Sequence, residues 1–134
     1  MATSQCSCGK LKLTLPADPE MVVVCHCIAC QRRTGSAFGV GAFYRRDAVT
    51  VLGSAKEFSR LADSGGVVRS YFCTECGSTV YWLAERLPSM IAIAAGTILG
   101  YPKSRIADKS VFECTSWDWI EVDARERFSE GAVR

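Results

Sequence analysis

The chain has 134 residues, of which 49% are hydrophobic and 22% charged, and its formal net charge at neutral pH is +2. That composition supports one folded domain over residues 1–134 and excludes a disordered chain. The sequence lacks the run of roughly 18 apolar residues that a membrane helix needs, and it lacks the basic block that marks a nucleic-acid contact. No membrane and no nucleic-acid partner are therefore expected. The opening MATSQCSCGK has no apolar stretch of a secretory signal, which makes the cytoplasm the expected compartment. Eight cysteines are the outlying count, and in a reducing compartment they read as metal ligands before disulfides.

Cys6 and Cys8 come first, as a C-x-C pair. Lys10 to Leu15 alternates polar and apolar residues, the period of a half-buried strand, and Pro16-Ala17-Asp18-Pro19 turns the chain. Met21 to Cys25 is a β-branched strand that delivers Cys25, Cys27 and Cys30. Ile28 to Thr34 reads as one or two helical turns stopped by Gly35, with Arg32 and Arg33 near the C-terminal end. The N-terminus of that helix would face the cysteines, where its N–H groups favour thiolates and anionic ligands. Phe38 to Phe43 is a strand whose Gly39 and Gly41 share one face, leaving it bare for a ligand or a second sheet, or marking a twist or bulge. Further strands are predicted at 49–52, 57–61, 67–72, 79–83, 91–95, 110–114 and 119–122. Cys73 and Cys76 form a C-x-x-C pair, Cys114 stands alone, and the polar end from Arg125 reads as a surface tail. The predicted class is mainly β.

Cysteines one or two residues apart are poor disulfide partners but suit a tetrahedral ion whose sulfur ligands lie at about 2.3 Å. Cys6/Cys8 with Cys73/Cys76 would close a four-thiolate structural site. Cys25, Cys27 and Cys30 would then hold a second zinc with one position left for water or substrate, the arrangement of catalytic zinc. The other grouping adds Cys114 as fourth ligand, closes both sites and argues for a purely structural protein. Cys114 otherwise reads as a buried small apolar side chain or a redox thiol. His26, between two ligands on an extended segment, would point away from the metal and serve as a proton shuttle, a hydrogen-bond donor behind the ligands or a packing residue. Trp82, Trp117 and Trp119 read as core and sheet cover. Glu75, Glu85 and Asp108 are candidate bases that spacing does not separate.

The order CSCG, then CHCIACQRRTGSAF, then VVRSYFCTECGSTVYW resembles the glutathione-dependent formaldehyde-activating enzyme family, whose domain is shared with centromere protein V. The likeness covers about residues 5–122 and leaves 123–134 as a polar C-terminal tail. It implies a β-tent of antiparallel sheets held by zinc knuckles, similar to a Rab exchange-factor chaperone and to B-type methionine sulfoxide reductases. It also implies two zinc ions, a structural one on Cys6, Cys8, Cys73 and Cys76 and a catalytic one on Cys25, Cys27 and Cys30. The implied activity joins formaldehyde to the thiol of glutathione, giving S-hydroxymethylglutathione, and is that of a carbon–sulfur lyase in reverse. Many family members carry a His at the start of the late strand, where this chain reads Asp108-Lys109-Ser110-Val111, a departure that bears on the substrate more than on the fold.

Thiolate, not thiol, attacks an aldehyde, and three thiolate ligands leave zinc better suited to hold a soft sulfur than to act as a strong Lewis acid. The expected partners are accordingly a small-molecule thiol and an aldehyde. Glutathione carries two carboxylates, for which Arg32, Arg33 and Arg69 are candidate partners, the alternative for each being solvated surface. Two other functions fit the sequence. One is a non-catalytic module in which both zincs are scaffold and the surface takes a protein partner; the other is a methionine sulfoxide reductase, which needs Cys114 exposed and acidic. Because metal held by clustered thiolates contributes folding free energy directly, a chelator is expected to unfold the chain at least partly, read as loss of its far-UV circular dichroism.

Overall fold

The computed structural model describes residues 1–131. In chain order the elements are β1 (Ala2–Gln5), β2 (Lys12–Leu15), β3 (Met21–Cys25), α1 (Ile28–Thr34), β4 (Gly39–Arg45), β5 (Thr50–Leu52), β6 (Ala55–Leu61), β7 (Val67–Cys73), β8 (Thr79–Ala84), β9 (Met90–Ala94), β10 (Ala107–Val111) and β11 (Ala124–Arg127). Single 3₁₀ turns occupy Arg46–Ala48, Ala95–Thr97 and Glu113–Thr115. The strands make a three-stranded sheet, ordered β1-β2-β5, and an eight-stranded sheet, ordered β11-β10-β3-β4-β9-β8-β7-β6. This is the mainly β architecture expected. The pairings are antiparallel except around β10, which runs parallel to both β3 and β11. No helix among the described residues is long and apolar enough to cross a membrane.

Strand period decides what each face carries. Leu13 and Leu15 of β2 are fully buried, together with Leu11 just before it, and they join Val22, Val24, Ala42, Tyr44, Val80, Ile91 and Ile93 in one apolar cluster shared by the two sheets. Their neighbours in sequence, Met21, Val23 and Cys25 on β3 and Phe43, Gly41 and Gly39 on β4, stand opposite one another in that order across the β3–β4 pair. These residues lie on the other face of the large sheet, and that face carries the cleft described below. The β3 and α1 boundaries are those expected from the sequence.

Several expectations are corrected. The late strand is Ala107–Val111 instead of 110–114, because Phe112 adopts a left-handed φ of 55° and turns the chain into the 113–115 helix turn. Residues 119–122 form no strand, and Trp117 and Trp119 are exposed, tilted against each other at 6.0 Å, instead of covering a sheet. Part of the expected C-terminal tail is strand β11, whose Arg127 Nη1 donates to Glu113 Oε2 at 2.9 Å; residues 132–134 of that tail lie outside the described residues. Cys114 is exposed, not a buried apolar side chain.

Asp108, one of the candidate bases, is committed to the parallel junction. Its Oδ2 accepts the Val22 N–H at 2.8 Å and Arg105 Nη2 at 3.1 Å, while Arg125 Nε lies 3.6 Å from Oδ1. Burial alone would push this carboxyl up, but the Val22 N–H and Arg105 outweigh it and hold it below the usual range. A folded-state pKa below the unfolded one, about 3.9, makes its stabilisation complete above that pH and lost as pH falls through the folded value. Asp108→Ala is expected to lower unfolding stability by about 1–3 kcal/mol in urea titrations at pH 7.

Candidate metal centres and the cleft beside them

The first cysteine group is assembled by two matching turns. The Cys6 Sγ accepts the Leu11 N–H at 3.3 Å and the Cys73 Sγ accepts the Glu75 N–H at 3.4 Å, so each turn aims backbone donors at a sulfur. Gly9 and Gly77, at φ 78° and 79°, provide the left-handed residues that close these turns. Across the pair, Ser7 Oγ and Ser78 Oγ lie 2.9 Å apart and Lys10 pairs with Glu75 at 3.4 Å. The result places the sulfurs of Cys6, Cys8, Cys73 and Cys76 within 4.8 Å of one another. The Ser78 hydroxyl, followed by its N–H, pulls the Cys76 thiol down to about 5. An all-sulfur donor set of this span fits a single metal ion.

The second group also forms as expected from spacing. Cys25 ends β3, Cys27 is the N-cap of α1, and its Sγ accepts the Cys30 N–H at 3.4 Å. The sulfurs of Cys25, Cys27 and Cys30 lie within 4.8 Å of one another, a group that does not include Cys114. Hydrogen bonds from Cys25 and then Cys30 hold the Cys27 thiol down to about 2, while its contacts with Cys27 and Cys30 push Cys25 up. Three sulfurs gathered where β3 ends and α1 begins can therefore hold a metal ion.

His26 sits behind this group and is 1% exposed. Its N–H donates to Val111 O at 3.1 Å, its carbonyl accepts Thr115 Oγ1 at 2.7 Å and Gln31 Nε2 at 3.0 Å, and its Nε2 lies 3.0 Å from Ser110 Oγ. Ser110 Oγ in turn donates to Glu113 Oε2 at 2.7 Å. The Nδ1 has no protein partner among the described residues. Burial pushes the imidazole pKa down, against the pull of Glu113, and favours the neutral ring. These bonds fix the segment between two cysteines from its far side.

A cleft of about 730 Å³ opens beside Cys30, with Arg32, Arg33 and Arg60 among its charged walls and Phe58, Phe72 and Trp82 among its apolar ones. It continues into a pocket of about 180 Å³ that reaches Cys25 and Cys27. The bare glycine face explains how. A Cβ at Gly39 would lie 2.5 Å from Arg33 Nη2, and one at Gly41 would lie 2.8 Å from Trp82 Cζ2. Two larger side chains therefore occupy the space that the glycines leave, and the Arg33 Cζ stacks 4.3 Å from the centroid of the Trp82 ring. Trp82 thus covers the sheet at Gly41, as expected, and also forms a wall of the cleft.

Arg69 does not reach the cleft. In the β6–β7–β8 register Ser70 stands between Phe58 and Trp82, so Ser70 faces the cleft and Arg69 faces away, 4.0 Å from Glu57. Arg60, paired with Val68 and of the same parity as Phe58, takes the place that sequence reasoning gave to Arg69. Its signal was the parity of β6, which needs the pairing partner to be read. Among the described residues, Arg32, Arg33 and Arg60 form no ion pair. The other two candidate bases are also elsewhere: Glu75 pairs with Lys10, and Glu85 Oε1 accepts the Val67 N–H at 2.6 Å.

Fold and site together define a class: a mainly β protein with two thiol clusters, each able to hold a metal ion, one of them opening onto a cationic cleft. The family model for glutathione-dependent formaldehyde-activating enzyme matches residues 1–115, and the chain belongs to that family. A Penicillium rubens protein provisionally named as that enzyme is 27% identical over 81 residues, 60% of this chain and 42% of its own. A Podospora anserina protein with the same provisional name is 26% identical over 86 residues, 63% of this chain and 40% of its own. The matched region thus spans less than half the length of these curated relatives. A solved Rhodobacter sphaeroides protein shares the fold, with a TM-score of 0.57 at 18% identity over 75% of this chain and 91% of that one.

The close approach at Gly41 makes a direct test of the cleft wall. Gly41→Ala is expected to dislodge Trp82 from Arg33 and shift the indole fluorescence, whereas Gly96→Ala, with no atom within 4 Å of the added carbon, is expected to leave the spectrum unchanged.

Proposed function

We propose that the chain binds two zinc ions, one on Cys6, Cys8, Cys73 and Cys76 and one on Cys25, Cys27 and Cys30, and that it joins an anionic small-molecule thiol such as glutathione to formaldehyde or another small aldehyde. Run backwards, this is a carbon–sulfur lyase. The observation that carries the reading is the junction of a sulfur group with a cleft whose three arginines form no ion pair among the described residues. Sulfur-only donors favour zinc among the common divalent ions, and three ligands match a catalytic zinc better than a structural one. When bound there, zinc supplies a position that stabilises a thiolate sulfur at neutral pH.

The chain's own residues supply the rest. Arg32, Arg33 and Arg60 present guanidinium groups to a ligand's carboxylates, and charge-assisted pairs of this kind contribute about 1.5–3 kcal/mol each. Arg33 is held in place by Trp82, so less side-chain freedom is lost when it meets an anion. Phe58 and Phe72 give part of the wall an apolar surface. In the reaction the thiol sulfur bonds to the carbonyl carbon, the C=O π pair moves to oxygen, and the proton lost from sulfur is balanced by one gained at oxygen. The product is a hydroxymethyl thioether when the aldehyde is formaldehyde.

A binding module with two scaffold zincs is favoured by one observation, the exposed Trp117–Trp119 pair. Zinc content and formaldehyde-dependent glutathione consumption, corrected for the uncatalysed reaction, separate the readings. Two zincs per chain and a catalysed rate are expected in the native protein, with one zinc and no catalysed rate in Cys27→Ala. Arg60→Ala is expected to raise the KM for glutathione about tenfold or more and Arg69→Ala to leave it unchanged, since one lost charge-assisted bond is worth at least a factor of about ten. Two zincs without catalysis would favour the module.

A further inference from the structure

We propose that Asp63 is the proton-transfer residue of the thiol–aldehyde reaction, a role that rests on the function proposed above. Asp63 lines the main cleft, the pocket that reaches Cys25 and Cys27, and a third cavity of about 250 Å³ shared by Cys27 and Cys114. It is the carboxylate common to all of these spaces. The other acids near the fold's functional face are engaged or distant. Glu57 accepts the Tyr71 hydroxyl at 2.7 Å on the opposite face, and Glu113 binds Ser110 and Arg127 on the far side of His26. Glu130 borders the third cavity but neither of the other two. Ser70 and Thr79 line the cleft, but their hydroxyls exchange protons poorly near neutral pH.

The backbone, and not any contact of its own side chain, holds Asp63 there. Strands β6 and β7 pair as far as Leu61 and Val67, and the reversal between them is closed by Ala62 N–H to Gly66 O and Gly65 N–H to Ala62 O, both 2.9 Å. Gly65 and Gly66 take φ of 93° and 78°, which side chains disfavour. Two side chains beyond β8 pin the turn: the Arg86 guanidinium donates to Ser64 O, and Glu85 accepts the Val67 N–H. Asp63 itself is exposed, and among the described residues it makes no ion pair or hydrogen bond. Its carboxylate is thus placed by a fixed turn and left open to a substrate and to bulk water.

The reaction needs such a group. As the thiol enters the cleft, Asp63 takes the S–H proton; the thiolate sulfur then bonds to the carbonyl carbon, the C=O π pair passes to oxygen, and Asp63 returns the proton to that oxygen. Protons and electrons balance without a further reagent. In reverse, Asp63 takes the hydroxyl proton as the C–S bond breaks and gives it to the departing sulfur. General acid–base participation of this kind is worth about 10²–10⁴ in rate.

The test compares native protein, Asp63→Asn and Asp63→Ala by stopped-flow glutathione consumption with formaldehyde, with zinc content and calorimetric glutathione affinity measured alongside. Both variants are expected to lose about 10²–10⁴ in kcat while zinc content and glutathione affinity stay within about twofold of native. Added formate, a small carboxylate that fits the space left by the side chain, is expected to restore rate to Asp63→Ala in a concentration-dependent way. A native-like rate in Asp63→Asn overturns the assignment, as does a loss that follows lost zinc or glutathione affinity and is not rescued by formate. A native protein that does not accelerate the addition overturns the parent reading together with this one, and that result is told apart because it is seen before any substitution is made.

Discussion

Two groups of sulfur atoms, each within 4.8 Å, are the constraint on which the rest of this structure depends. Thiols packed that closely cannot all ionise without a cation between them, because each thiolate repels the next. Folding brings them together and a metal would hold them there, so the two events are thermodynamically linked. The link is mechanical as well. Cys6 and Cys73 belong to the apolar cluster that joins the two sheets, so the first group ties the chain's opening turn to β7 through the core. The second ties β3 to α1 and, through the backbone of His26, to β10 and the turn after it.

The large sheet separates two tasks by parity. On β3 the even residues Val22 and Val24 pack inward, while Cys25 points to the cleft side. On β4 the inward residues Ala42 and Tyr44 alternate with Gly41 and Phe43, whereas on β8 a bulge breaks the alternation, so that Val80 and Tyr81 are both buried and Trp82 stands in the cleft wall. A side chain at Gly39 or Gly41 would have to displace Arg33 or Trp82. The two glycines thus cost some strand stability and gain a close, stacked cation beside the sulfurs.

Local chemistry was legible in the sequence, and long-range pairing was not. The cysteine groups, β3 and α1 could be read because spacing, β-branching and Gly35 are local signals. Strand β1, with the sequence ATSQ, and β11, with ARER, carry no apolar alternation, and each becomes a strand only because a partner strand offers its edge. Arg69 and Arg60 have equal claims as isolated cations; the β6–β7–β8 register separates them. Cys114 and Trp119 were placed by residue-type preference, and the left-handed Phe112 turned that segment outward. Asp63 had no signal at all, since its role comes from a hairpin turn folding over cysteines more than thirty positions earlier.

The position of β10 sets an order of assembly. The first cysteine group is drawn from residues 6–76, so everything it needs has been synthesised before β10 exists. The second group uses residues 25–30, yet the groups that brace it, Val111, Ser110 and Thr115, arrive about eighty positions later and insert beside β3 in parallel. Contacts that distant in sequence form late, since the chain between them must be ordered first. A nascent chain would therefore have one metal group ready and the other unsupported, and the first ion could be captured while the cleft is still being built.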